Sequence, residues 1–370
     1  MKKYITSLLL FMLSVPVLAQ EQADTALLIN EVQVSNIDQY LDKANCYGGW
    51  IEIYNPSSTD KSLRNLYITD GVNETRLLSA HGNVPANGYK VLWFDHHYST
   101  GNYGTYARAQ IPFKLDAEGG TISLLDTDRT LISSVSYPPA FPRCSWARTQ
   151  DGGEEWEYTS EPTPESTNAT SQFASDRLDA PVVDTDSRVF SEPFTVRVSI
   201  PSGATLRYTT DGSAPTATNG ETSTNGCFTI SKTTVLRLCL VGKGYLTSPV
   251  VTRSYIFQNH DYYLPILMVS SKPENFFDNK IGVFVKGTNG ISGNGQSSAC
   301  NWNMDWERPV NMNYLVPVKD KNGNVQYSEV LNQEVNLEIA GGWTRAYGGG
   351  TVDGKYWETR SSFRLKTDKI

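Results

Sequence analysis

The chain has 370 residues, 39% hydrophobic, 11% aromatic and 19% charged, a length that holds two or three domains at roughly 100–200 residues each. Tyr 20 and Trp 8 supply enough core-forming surface to exclude disorder over most of it. The net charge of −7 argues against a nucleic-acid-binding surface, and four His and five Cys are too few for a Cys/His metal framework or a disulfide-stapled fold.

Met1-Lys2-Lys3 is a basic start, Leu8–Leu13 an apolar core, and Val17-Leu18-Ala19 a small-residue cleavage site. Residues 1–19 therefore read as a signal peptide cut before Gln20. A membrane anchor is the alternative, but the apolar stretch is too short for ~30 Å of hydrocarbon and Pro16 lies near its end. No Cys follows the site, so no lipoprotein is expected, and no later apolar run suggests a transmembrane helix. The expected destination is the periplasm, the cell surface or the exterior.

Alternating or β-branched runs separated by Gly, Asn, Asp and Pro clusters predict antiparallel sandwiches. Such runs are Leu28–Val34, Trp50–Tyr54, Lys90–Phe94, Thr121–Leu125 and Leu131–Val135. In Trp50–Tyr54, Ile51 and Ile53 point to one face and Trp50, Glu52 and Tyr54 to the other, which predicts a central strand with one partly wet side. Asp95-His96-His97 is a chemical candidate, but adjacent strand residues face opposite ways and no HExxH-like spacing accompanies them. Loop-edge polar residues are expected there rather than a metal site.

Between Asp151 and Asp186 lie ten acidic residues and one basic residue, Arg177. With Pro162–Ser171 inside it, residues 161–180 read as a solvated acidic Pro/Ser/Thr linker rather than a calcium loop. A softer boundary falls at Asn259-His260-Asp261. Cys227–Ile230 and Val235–Cys239 read as a hairpin in which Cys227 opposes Leu238, one residue out of register for a disulfide with Cys239. Free buried thiols are expected.

Leu28–Val32, Gly49–Pro56, Leu66–Asp70, Phe113–Gly120 and Val135–Pro138 together resemble the lamin-tail domain, placed at residues 24–160. The resemblance implies an immunoglobulin-like sandwich that acts as a non-catalytic interaction and architectural module. Ala204-Thr205-Leu206-Arg207-Tyr208-Thr209-Thr210-Asp211-Gly212-Ser213-Ala214-Pro215-Thr216 is the sharpest motif. With Ala180-Pro181, Thr233–Leu238 and Arg253–Ile256 it resembles the chitobiase/β-hexosaminidase C-terminal domain, placed at residues 181–258. That implies a small fibronectin-like sandwich accompanying glycosidases without doing their chemistry. In the turn, Asp211 can bond downstream backbone and Gly212 tolerates positive φ. Tyr208 is a sugar-binding candidate or a packed core tyrosine.

Leu264–Ser270, Phe276–Val285, Trp306–Val310, Leu337–Arg345 and Ser362–Lys366 resemble the opening of the CotH family, spore-coat-type proteins with an atypical kinase fold. Residues 262–370 are then expected to be an incomplete α+β kinase-like N-terminal portion, because the family's downstream catalytic and metal-binding section is not in this sequence. Thr344 and Ser361 depart from the family pattern. Gly287–Gly295 lacks a phosphate-loop lysine and reads as a flexible insertion. Trp302, Trp306, Trp343 and Trp357 would make a glycan-stacking surface or a core exposed by the missing half.

The expected fold class is thus mostly β: two sandwiches and an incomplete kinase-like portion. No catalytic, metal or cofactor-binding residue is assigned, and ATP and Mg enter only with a complete CotH-like domain. Ligand-binding candidates are Tyr208, Trp343 and Arg345. The expected role is a binding or architectural protein of the bacterial envelope or exterior, with a protein or glycan partner. Alternatives are the front end of a CotH-type kinase and a carbohydrate-binding accessory.

Overall fold

The computed structural model describes residues 26–94, 107–293, 296–341, 344–345, 351–352, 355–356 and 361–367. Three β regions follow one another. In the first, a six-stranded sheet runs in the order Trp156–Thr159, Ser145–Arg148, Leu28–Gln33, Gly49–Asn55, Gly88–Phe94, Gln110–Ile111. A four-stranded sheet, Leu131–Tyr137, Gly120–Leu125, Tyr67–Thr69 and Glu74–Arg76, faces it. Ile29, Ile51, Ile53 and Leu92 from the first sheet meet Ile68, Ile122, Leu124 and Val135 from the second, the alternation a sandwich requires. Gly119, at φ +99°, turns the chain into Gly120–Leu125 under the Tyr137 carbonyl.

The second region pairs a three-stranded sheet (Val182–Val183, Phe194–Ser199, Cys227–Ile230) with a five-stranded one. The latter runs Arg188–Phe190, Val251–Phe257, Thr234–Gly242, Ala204–Thr209, Glu221–Ser223. Val196, Ile230, Leu206, Leu236, Leu238 and Tyr255 form its core. The expected Cys227–Cys239 hairpin does not form. Cys227 pairs with Arg197 in one sheet and Cys239 with Arg207 in the other, because Ser231–Thr233 crosses between the sheets. All five cysteines are free, and four are buried as expected, whereas Cys227 is exposed.

The third region is a four-stranded antiparallel sheet, Ile266–Ser270, Glu307–Lys319, Val325–Ile339 and Phe363–Lys366, with one short helix, Pro273–Phe277. The described part of the glycine-rich stretch is packed rather than loose. Asn301 receives a bond from Asn289 N–H at 3.1 Å and donates to the carbonyls of Asn279 and Gly282.

Two further expectations change. The outer face of Gly49–Asn55 is dry at Trp50 and Glu52, which are as fully buried as Ile51 and Ile53, and stays partly exposed at Tyr54. Tyr40 packs edge-on against Trp50 at 6.2 Å, and residues 162–168 close over Glu52. The same residues show that the start of the 161–180 segment is not a solvated linker, since polar groups along it bond buried carboxylates of the first sandwich.

Candidate functional site: the junction of three regions

Four charged residues from distant parts of the chain converge where the three regions meet. Arg143 follows Pro142 in a turn closed by the Cys144 N–H to Phe141 carbonyl bond. Its backbone is held at φ +64°, a conformation β-carbon residues adopt only under constraint. The guanidinium bridges Asp38 of its own region and Glu334 of the third. Nε and Nη2 donate to Asp38 at 2.7 and 2.9 Å, and Nη1 and Nη2 donate to Glu334 at 3.0 and 2.7 Å. Arg237, from the middle of Thr234–Gly242, donates from Nη2 to the same Glu334 Oε1 at 2.7 Å. Its Nη1 donates to the Gly212 carbonyl and its Nε to Thr252 Oγ1.

Two guanidiniums and two carboxylates compensate one another out of water. Burial alone would raise both acids, but Arg143 and Arg237 outweigh it and hold Asp38 and Glu334 below their usual range. Arg143 is correspondingly raised, its two carboxylates outweighing burial. Bidentate geometry makes such a cluster directional as well as charged.

The seams around it are specific. Between the first and third regions, Trp306 Nε1 donates to the Ala44 carbonyl at 2.8 Å and Arg308 to the Asn45 carbonyl at 2.9 Å. Ala44 and Cys46 belong to the same apolar cluster as Trp302, Trp306 and Leu337. Trp302 and Trp306 are therefore core, covered by the first region, while Trp343 and Trp357 lie outside the described residues. Between the second and third, Gly212 sits at φ +89° with the Ser271 carbonyl 2.2 Å from where a Cβ would stand. Asp211 Oδ1 accepts from the Ser213 N–H and hydroxyl, as the turn chemistry predicts. The sharpest sequence motif is thus a docking turn. Between the first and second, Arg177 donates to the Thr247 carbonyl at 2.8 Å, and Cys144, Ala174 and Leu246 form a small apolar seam.

A second polar layer lies under residues 162–168. Glu31 accepts from the Thr163 N–H and hydroxyl at 3.2 Å and from the Ser145 hydroxyl. Glu52 accepts from Asn30 at 3.1 Å and the Glu165 N–H at 2.7 Å. Asp151 accepts from Asn30, Asn168 N–H, Tyr89 and Thr167. All six carboxylate oxygens are engaged. Burial pushes Glu31 up to about 7 and, with Glu31 beside it, Glu52 up to about 9. Hydrogen bonds to Thr167, Asn30 and Asn168 overcome burial at Asp151 and keep it low. The layer's acids are strongly perturbed, and the strap closes over them.

Of the sequence candidates, Tyr208 packs its ring edge-on to Phe228 at 4.9 Å and donates its hydroxyl to Glu221 at 2.5 Å. Arg345 donates towards the Trp302 and Gly341 carbonyls. Trp343 and Asp95-His96-His97 lie outside the described residues. Tyr208 and Arg345 are on different regions, and neither joins the junction. Sequence reasoning missed Asp38, Arg143, Arg237 and Glu334, which share no local motif. Among the described residues no group of three or more His, Cys, Asp or Glu is placed to hold a metal, and no helix is long and apolar enough to cross a membrane.

No curated protein matches the chain. Family models match two of its regions: residues 20–139 are similar to the Lamin Tail Domain and residues 179–252 to the Chitobiase/beta-hexosaminidase C-terminal domain.

Proposed function

We propose that this chain is an exported multimodular binding or architectural protein whose modules are presented as one rigid body. The observation that carries the reading is the buried Asp38–Arg143–Glu334–Arg237 cluster, which ties residues of all three regions together. A chain that needs its modules to move independently gains nothing from charges buried at their common junction. The basic and apolar residues at the start of the chain support export. The envelope or exterior is the corresponding location, with a protein or glycan as partner. The CotH-like sequence blocks of residues 262–370 support a second reading, the front portion of a CotH-type kinase.

Small-angle scattering of the purified chain, together with assay of γ-phosphate transfer from ATP, tests the proposal. One rigid arrangement and no transfer are expected. A profile that fits only independently moving modules overturns the rigid presentation, and phosphate transfer moves the chain to the kinase reading. Recovery from cells of a chain that begins at Met1 rather than Gln20 would remove the export step.

A further inference from the structure

The first sandwich carries a cleft of about 710 Å³ at the edge of the strap, whose Glu165 lines it, within the range of small-ligand sites. Five cations line it, Lys43, Arg64, Arg76, Lys90 and Arg108, against one carboxylate among the described lining residues, Glu165. That balance is inverted from the chain's net charge of −7. Four of the five cations are exposed, and Lys90 is half-buried.

Two polar groups in the walls are unusual. His81 is 3% exposed, and its Nδ1 accepts the Leu78 N–H at 2.9 Å. Burial, with Lys90 beside it, holds the ring below the usual imidazole range despite that bond; Nδ1 lies closer to the Leu78 N–H than to the Leu78 carbonyl, 3.2 Å away, and this assigns the neutral ring's proton to Nε2. That Nε2–H has no partner among the described residues. Gln110 is 9% exposed. Its Nε2 donates to Asp42 at 2.7 Å, which fixes the amide and leaves Oε1 without a donor. An unmet buried donor and an unmet buried acceptor are each costly, so a ligand that satisfies both gains accordingly.

We propose that this cleft binds a short anionic saccharide, one bearing carboxylate or sulfate groups. The cations take the anionic groups, the His81 N–H takes an oxygen, and the Gln110 carbonyl takes a sugar hydroxyl. The half-buried Trp93 in the same wall adds an aromatic surface for a sugar ring. Inorganic polyphosphate satisfies the cations but offers Gln110 almost no donor at neutral pH. The inference names a ligand class for the binding role proposed above and rests on it.

Calorimetric titration of the full chain with an oligogalacturonate tetramer and a sulfated tetrasaccharide tests it, beside a neutral tetrasaccharide, tripolyphosphate, tetraglutamate and a single-stranded oligonucleotide. Binding of an acidic saccharide is expected, weakening with salt and exceeding that of every comparison ligand. The Arg64→Ala/Arg108→Ala double variant, altered only at exposed positions, is expected to raise its Kd about tenfold or more. His81→Phe, with folding checked by thermal melting, is expected to weaken it as well while leaving its salt dependence intact. Equal or tighter binding of any comparison ligand, no binding of either acidic saccharide, or an unchanged Kd in the double variant overturns the assignment. Such a failure leaves the rigid-body reading standing, because that reading falls to scattering or to phosphate transfer instead.

Discussion

Glu31 and Glu52 lie on adjacent strands, both fully buried, with their pKa values pushed to about 7 and about 9. A carboxyl whose folded pKa is raised holds its proton in the folded state at a pH where the unfolded chain has released it. Stability supported by these groups is therefore present below the ordinary value of 4.5 and lost as pH rises towards 9. Asp38, Asp151 and Glu334 are shifted the other way, so their contribution is present above ordinary carboxylate values and fades in acid. The two windows do not cancel, because they lie on opposite sides of about pH 4–5. The melting temperature is expected to fall from pH 5 to pH 9. Glu52→Gln should flatten that fall, removing up to about 1.4 kcal/mol per pH unit. Identical slopes in denaturation curves of the two proteins across this range would refute the protonated assignment of Glu52.

At the level of elements, the Asp211-Gly212-Ser213 turn shows how a local motif acquires a distant task. Its sequence requires only a tight turn with positive φ, which the structure has. The close approach of Ser271 is set by the third region and leaves no trace in the motif itself. Gly212→Ala places a methyl into the Ser271 carbonyl and strains the backbone, so it is expected to lower stability by about 1–3 kcal/mol. Gly203→Ala, also at positive φ but with nothing within 4 Å, isolates the conformational part. If both variants melt alike, the docking contact contributes nothing. The same division governs what the sequence made legible. Strands such as Leu28–Gln33, Gly49–Asn55 and Gly120–Leu125 follow from alternation because their cores are built from neighbours two residues apart. The strap over Glu31 and Glu52 does not, since acidic and Pro-rich composition describes a solvated segment equally well. Only groups more than 110 residues away turn these residues inward: the buried Glu31 and Glu52 carboxylates for Thr163 and Glu165, and the Asn30 carbonyl for Asn168. The Cys227–Cys239 hairpin fails for a related reason: a three-residue connection fits a sheet crossover as readily as a turn.

Across the whole molecule, the junction ties three sandwiches or sheets into one unit, and its residues at 38, 143, 237 and 334 meet only once every region is folded. A buried ion pair adds little over an apolar replacement, but removing one member strands its partners and costs about 3–5 kcal/mol. Glu334 is the member with most to lose, because it accepts from both guanidiniums. Glu334→Gln leaves Arg143 and Arg237 facing one remaining carboxylate, Asp38. Two cations then repel across a space that water enters only if the regions part. The wild-type chain is expected to unfold in a single denaturant transition. The variant should lose about 3 kcal/mol or split into two transitions, with the third region melting first. Arg129→Ala provides the contrast, because its pair with Glu74 lies in solvent, with side chains 57% and 35% exposed; no change in the transition is expected there. A Glu334→Gln chain that unfolds with the wild-type midpoint and slope would mean that the apolar seams around Trp306 and Leu246, not the charges, hold the regions together.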